Sequence, residues 1–263
     1  MYIQITTRCN MTCRHCCFAC TAKGTDMSED TFKKAIELAC ENESHITIGG
    51  GEPTLHPKFQ SFLMHAVWEL ASQSNSSGMP AVFLVTNGSN EDISVTLAHL
   101  AERGVIGCRL SQDQYHDASM VSDRTRAAFR RPKRDHYAPT NFRDEYDCRD
   151  IEQPLENFQI QQMGRGKGWG GRSMKDGCCG GLFITPRGNL YPCECKKVNL
   201  GTVFDPRDVV SEHFSGGYCS QSEGYRTEVI PMMKERAEWR AKKEVVSLSA
   251  LAAIGGEVDG IKL

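Results

Sequence analysis

No stretch of the 263-residue chain approaches the roughly 20 apolar residues that cross a bilayer as a helix, so no membrane span is expected. No secretory leader is expected either. No basic-then-apolar stretch opens the chain, and a cysteine motif that starts at Cys9 leaves no room for one. Neither sign of charge is in excess: 31 basic residues face 33 acidic ones, which gives no global reason to expect nucleic acid or an anionic membrane as partner. What is abundant is cysteine, 13 in all. In a small secreted domain these would read as disulfides, but this chain is long, the count is odd and the cysteines cluster at metal-ligand spacing. A soluble, cytoplasmic protein is the expectation, because a reducing compartment preserves exposed thiolate–iron sites.

Cys9, Cys13 and Cys16 stand at C-x3-C-x2-C spacing, directly after the short apolar start Tyr2–Thr6. Three thiolates on one loop can bind three irons of a [4Fe–4S] cube, since soft sulfur suits iron–sulfur clusters. The fourth iron then has no protein ligand, and an open corner points to a substrate or cosubstrate that binds there. A zinc knuckle is the alternative. It needs four closed ligands, for which His15 or Cys17 could complete the set.

Strand and helix alternate through the first half. Ile3 and Ile5 mark one strand, and Asp26-x-x-Glu29 reads as a helix start ahead of Phe32, Ala35, Ile36 and Ala39. Ile46 and Ile48 mark a second strand, and Pro57 opens a helix with the apolar stripe Phe59, Phe62, Leu63, Ala66, Val67, Leu70. Residues 81–86 form a third strand, apolar throughout as buried parallel strands are. Ile93, Leu97 and Leu100 give a third helix that ends at Gly104, and 105–110 a fourth strand. Four βα units in series predict an α/β fold with a parallel sheet, open or closed. Residues 114–131 suit a helix, and no fifth strand is evident before 157–163, which predicts a shortened barrel. The basic run Arg124, Arg126, Arg130, Arg131, Lys133, Arg134 reads as a solvated face or mobile loop; the sharper reading is a contact for an anionic peptide or nucleic acid.

The second strand runs into Gly49-Gly50-Gly51-Glu52-Pro53, where glycines let a ligand approach backbone groups closely. Together, C-x3-C-x2-C and G-G-G-E-P resemble the radical S-adenosylmethionine (radical SAM) superfamily, well over residues 1–113 and in patches beyond. The resemblance implies a partial (β/α)6 barrel, with Cys9, Cys13 and Cys16 holding a [4Fe–4S] cluster that binds SAM at its open iron. Cys17 and Cys20 fall outside the ligand set. Gly49, Gly50, Gly51, Glu52 and Pro53 match the element for the methionine amino group, with Glu52 accepting from the ammonium or else fixing the turn. Thr86-Asn87-Gly88 ends the third strand at a position that family members use near SAM. Ser111 and Asp113, after the fourth strand, suit the ribose hydroxyls. Tyr115 and His116 follow and could face substrate, although a lone histidine there is more often structural. Gly164-Arg165-Gly166 resembles the G-R-x element on the adenine and carboxylate side, where Arg165 offers a planar fork or is simply exposed.

Beyond Gly164 the composition turns glycine- and cysteine-rich. Leu182–Thr185 and Asn189–Tyr191 flank Pro-Arg-Gly, a hairpin signal. The cysteines around it resemble the opening of SPASM and twitch domains, although the full C-x2-C-x5-C-x3-C series is absent. That implies an auxiliary [4Fe–4S] cluster built from Cys178 or Cys179, Cys193, Cys195 and Cys219, with zinc or free thiols as alternatives. The expected organisation is a core barrel over 1–165, a Cys-rich segment over 166–225, and a terminal helix and tail over 226–263. The implied activity is reductive cleavage of SAM to a 5′-deoxyadenosyl radical that takes hydrogen from a peptide or protein substrate, with a flavodoxin or ferredoxin as electron donor. A small-molecule or nucleotide substrate is the alternative. A non-enzymatic Fe–S or zinc regulator is the competing class, but it has no need of G-G-G-E-P, T-N-G and S-x-D at successive strand ends.

Overall fold

Ile3 and Ile5 on β1 (Tyr2–Thr6), Ile46 and Ile48 on β2 (Ile46–Gly50), Val82 and Leu84 on β3 (Val82–Thr86), and Cys108 and Leu110 on β4 (Gly107–Leu110) all pack into one buried core. The same core takes the apolar stripes of α1 (Glu29–Glu41), α2 (Phe59–Glu69) and α3 (Glu91–Glu102). All three helices therefore cover one face of the sheet. Alternate strand residues lie on the other face, where Tyr2, Thr47, Phe83, Val85 and Arg109 stay at least partly exposed while Gln4 and Thr6 are buried. Among the described residues the sheet is open and mostly parallel, with these helices on one side. The computed structural model describes residues 1–42, 45–71, 80–130, 148–151, 165, 181–192, 196 and 199–206.

The sheet has strand order β5-β4-β3-β2-β1-β6-β7. Strands β1 to β6 run parallel to their neighbours, and only β7 is antiparallel. The hairpin is present as β6 (Phe183–Ile184) and β7 (Leu190–Tyr191), turning at Gly188 with φ +78. Its first strand pairs with β1, Tyr2 opposite Phe183, so the chain's late segment extends the sheet beside its first strand. A small ribbon, β8 (Gly201–Thr202) with β9 (Asp205–Pro206), docks on this hairpin through the Leu200 N–H to Leu190 carbonyl bond.

Three expectations change. The cap of α1 is Ser28, whose hydroxyl accepts from Thr31 N–H, and the helix begins at Glu29; Asp26 instead pairs with Arg8. In place of the helix expected over 114–131, the described residues, 114–130, hold a 3-10 turn at Ala118–Met120 and the short helix α4 (Asp123–Phe129). A fifth strand does precede residue 157: β5 (Arg149–Ile151) pairs in parallel with β4. Its Arg149 is buried, with the guanidinium donating to Ala128 carbonyl at 2.9 Å, so a charged residue sits where an apolar run would be sought. The strand proposed at 157–163 and the terminal helix lie outside the described residues. Among the described residues no helix is long and apolar enough to cross a membrane. In the basic run, Arg124 pairs with Glu91 and Asp92, and Arg126 with Asp123, as a solvated helix face would.

Candidate functional site

In a parallel sheet the strand C-termini share one edge, and the loop after β1 begins there with the three cysteines. A closed neck anchors this loop. Arg8 donates from Nε to Asp26 Oδ1 at 3.0 Å and from Nη2 to Leu55 carbonyl at 2.6 Å, while Thr6 Oγ1 donates to Asp26 Oδ1 at 2.6 Å. Cys9 N–H donates to Thr21 carbonyl at 2.9 Å, tying the loop's exit to its entry. Inside it, Cys9, Met11, Cys20 and Val121 form a buried cluster, against which Cys13, Cys16 and Phe18 pack.

The thiols differ in character. Burial pushes Cys9 up to about 11, against the Met11 N–H that points at its sulfur from 3.4 Å. Hydrogen bonding from Cys20 brings Cys16 down to about 5, and Cys20 itself is raised in return. The charges of Cys13 and Cys16 each push Cys9 further up, so the three thiols interact electrostatically. Three soft sulfurs in mutual electrostatic contact on a pinned loop fit an iron–sulfur cube bound through three corners.

The glycines at the end of β2 serve close approach. None of Gly49, Gly50 or Gly51 has a left-handed φ. A Cβ on Gly51 would lie 2.1 Å from Arg8 O and 2.8 Å from Cys9 Cβ, and one on Gly50 would lie 2.4 Å from Thr6 O. The strand end is thereby pressed against the start of the cysteine loop, with Gly51 N–H donating to Thr6 carbonyl and Glu52 N–H to Arg8 carbonyl. Gly51→Ala is expected to displace this junction at a cost of roughly 1–3 kcal/mol and to leave less than about half the wild-type iron after anaerobic reconstitution. Wild-type iron and melting temperature in that variant would show that the junction tolerates the methyl group.

Glu52 is wholly buried, and burial raises its carboxyl above the ordinary range despite four donors that favour the charge. Oε1 accepts from Thr54 N–H (3.1 Å), Thr54 Oγ1 (2.7 Å) and Thr86 Oγ1 (2.9 Å), and Oε2 accepts from Asn87 N–H (2.6 Å). The side chain joins the ends of β2 and β3 and caps the 3-10 turn Pro53–Leu55, the turn-fixing arrangement. Asn87 reaches the loop: Nδ2 donates to Asn10 Oδ1 at 3.0 Å and lies 3.9 Å from Cys9 Sγ. At the end of β4, Ser111 N–H donates to Thr86 carbonyl at 2.8 Å.

Sequence reasoning missed one grouping. His15 Nε2 lies 3.0 Å from Asp113 Oδ2, and His116 Nδ1 lies 2.8 Å from Asp113 Oδ1. Burial opposes ionisation of both Asp113 and His116, yet each favours the other's charge. Asp113 is held well below the usual carboxylate range, and His116 is pushed up to about 10 by Asp113 and Cys13. His15 is therefore turned toward a carboxylate, with the Tyr115 ring tilted against it at 5.1 Å. Asp113 and His116 are three residues apart on one loop, but His15 comes from the loop after β1, and no local spacing signals that it joins them. Arg165 also meets the cysteine loop, donating from Nε to Cys13 carbonyl and from Nη1 to Cys20 carbonyl, each at 2.8 Å. Cys178, Cys179, Cys193, Cys195 and Cys219 lie outside the described residues.

The family model described as the radical SAM superfamily matches residues 3–137, just over half of the chain. The chain belongs to the radical SAM superfamily. Membership makes it an enzyme and brings a [4Fe–4S] cluster and SAM as cofactors, to which the three-cysteine loop is suited. A relative in Bacillus subtilis (strain 168), YydG, named for peptide biosynthesis, is 26% identical over 121 residues, which cover 43% of this chain and 35% of that protein. The match thus spans only about a third of the relative's length. Among solved structures, BtrN in complex with AdoMet and 2-DOIA superposes with TM-score 0.53 at 16% identity, covering 86% of this chain and 87% of that one. A histidine-tagged form of anSMEcpe with bound AdoMet gives TM-score 0.50 at 14% identity, covering 86% of each chain. At such identities the likeness is one of fold, and it reinforces the radical SAM barrel.

Proposed function

We propose that this radical SAM enzyme cleaves SAM reductively at a cluster held by Cys9, Cys13 and Cys16, and acts on a peptide or protein. One observation carries the reading: the cysteine loop, the glycine strand end with Glu52, Thr86-Asn87 and Ser111 are linked by hydrogen bonds at a single edge of the sheet. Bound there, the cluster and SAM supply one electron and a 5′-deoxyadenosyl radical that takes a hydrogen atom from substrate. The chain's own residues do the positioning. The backbone of Gly49, Gly50 and Gly51, ahead of Glu52-Pro53, offers carbonyls to the methionine ammonium. Thr86 and Asn87 close the next strand end, and Ser111 and Asp113 offer acceptors to the ribose. Tyr115 and His116, just beyond that edge, and the sheet face that carries Phe83, Val85 and the Arg109–Asp150 ion pair are offered to the substrate. The peptide reading is supported by YydG, whose match is to a protein named for peptide biosynthesis.

The C-terminal cysteines, Cys178 or Cys179 with Cys193, Cys195 and Cys219, are proposed to hold a second [4Fe–4S] cluster. Supporting this, the hairpin they bracket is formed and docked beside β1. The test is anaerobic reconstitution, reduction with dithionite or a flavodoxin or ferredoxin, and chromatography for 5′-deoxyadenosine. Its formation is expected, and its absence from protein that holds a cluster would sink the reading. The reconstituted protein is expected to hold about eight irons, roughly four per cube. Cys193→Ala is expected to remove about half of them while SAM cleavage survives. A wild-type content of about four irons would leave one cluster only.

A further inference from the structure

We infer that Arg165 is a positioning residue of the metal centre: it latches the cysteine loop in its ligand-presenting shape and sets the cluster's readiness to accept an electron. The inference rests on the cluster reading above and goes beyond the expected contact with the SAM carboxylate. Arg165 makes three hydrogen bonds to the loop from far along the chain. Its backbone N–H donates to Cys16 carbonyl at 2.9 Å, Nε to Cys13 carbonyl at 2.8 Å and Nη1 to Cys20 carbonyl at 2.8 Å. These carbonyls bracket the third ligand, Cys16, and extend from the second ligand to the buried Cys20. Loop carbonyls without partners are costly when desolvated. One planar guanidinium satisfies two of them in a fixed geometry that a lysine ammonium cannot copy. Nε and Nη1 each give one N–H to the loop, so this role is separate from any contact the remaining donors make.

The charge matters separately. The guanidinium lies against the carbonyl of Cys13, the second ligand, and that of Cys20, four residues past the third, which keeps its positive charge on the cysteine loop. Adding an electron to the cube increases its negative charge, so a fixed cation nearby favours the reduced state.

The test uses the full chain, anaerobically reconstituted, as wild type, Arg165→Lys and Arg165→Gln. Two readouts are taken: the rate of iron loss to a chelator, and the reduced fraction by EPR at a fixed poise. Both variants are expected to lose iron about tenfold faster, because neither reproduces the fork. Arg165→Gln is expected to lower the ratio of reduced to oxidised cluster about tenfold, a shift of about 59 mV for one electron. Arg165→Lys keeps the charge and should hold that ratio within about twofold. A purely structural arginine would not separate the two variants in this way. Wild-type iron retention and poise in Arg165→Gln would overturn the inference, and so would equal shifts of poise in both variants. If Arg165→Gln takes up no cluster, Arg165→Lys decides by its iron-loss rate, with a wild-type rate overturning the latch. A wild-type protein that takes up no [4Fe–4S] cluster would overturn the functional reading and this inference together.

Discussion

Cys13→Ala is expected to abolish both the SAM-binding cluster and the formation of 5′-deoxyadenosine. A cube bound at three corners has no spare protein ligand, and the loop cannot recruit one cheaply. Cys9 is buried beside the Met11 N–H, and Cys16 is tied by its carbonyl to Arg165. His15, the nearest nitrogen donor in sequence, faces Asp113 at 3.0 Å instead. Cys20 is the residue most able to complicate the result, since it is buried in the same cluster as Cys9 and hydrogen-bonds to Cys16. Cys20→Ala and Cys17→Ala are therefore the necessary companions. Both are expected to retain most of the iron and the SAM cleavage, because neither residue belongs to the C-x3-C-x2-C set. Iron is best counted in a chain that also carries Cys193→Ala, so that C-terminal cysteines contribute nothing. Cys13→Ala with undiminished iron and 5′-deoxyadenosine would remove the central assignment. A loss in Cys20→Ala as severe as in Cys13→Ala would instead make Cys20 a ligand.

The first four βα units were legible because each strand carries its core residues at alternate positions and each helix carries a stripe at helical spacing. Ile3 and Ile5, then Phe32, Ala35, Ile36 and Ala39, are enough to orient β1 and α1. The strand-end motifs were legible for a related reason. Short polar or glycine runs after apolar strands must lie at the edge where the strands stop. What stayed hidden depends on pairing across long sequence separations. Strand β5 has the sequence Arg-Asp-Ile, and its register against β4 is supported by the Arg109–Asp150 pair and by buried Arg149. No local pattern encodes that. Asp26 looked like a helix cap because a carboxylate three residues before Glu29 fits one, yet Arg8 and Thr6 claim it at the neck of the loop. Arg165 likewise reads as one residue of a glycine-rich stretch until its partners, Cys13 and Cys20, are seen. The role of Glu52 was the closest contest, between a ligand contact and a fixed turn, and its four intramolecular donors were spread over two strand ends.

Glu52→Ala is expected to destabilise the fold as well as to weaken SAM binding. Alanine leaves the Thr54 and Asn87 N–H groups without acceptors in a site with no solvent access, and it empties the volume of a side chain. Each buried donor left unpaired costs about 1–3 kcal/mol, so a total of roughly 3–5 kcal/mol follows. For a chain of this size that lowers the melting temperature by roughly 6–20 °C. Glu52→Gln keeps the shape but turns an NH2 toward a donor, either at Asn87 or at Thr54 and Thr86, and about 2 kcal/mol is expected. The pH dependence separates charge from shape. Burial raises the Glu52 carboxyl, and the donors only partly offset it. A carboxyl raised in the folded state adds stability that is complete below its unfolded value and is lost as pH rises through its folded one. Glutamine has no such titration, so the stability gap between wild type and Glu52→Gln should narrow as pH rises across that window. Melting curves of the apo proteins measure this without any cofactor. Melting temperatures of both variants within about 2 °C of wild type would show that the hub is not structural. If SAM affinity then fell with stability intact, Glu52 would be a direct ligand contact rather than the joint between β2 and β3.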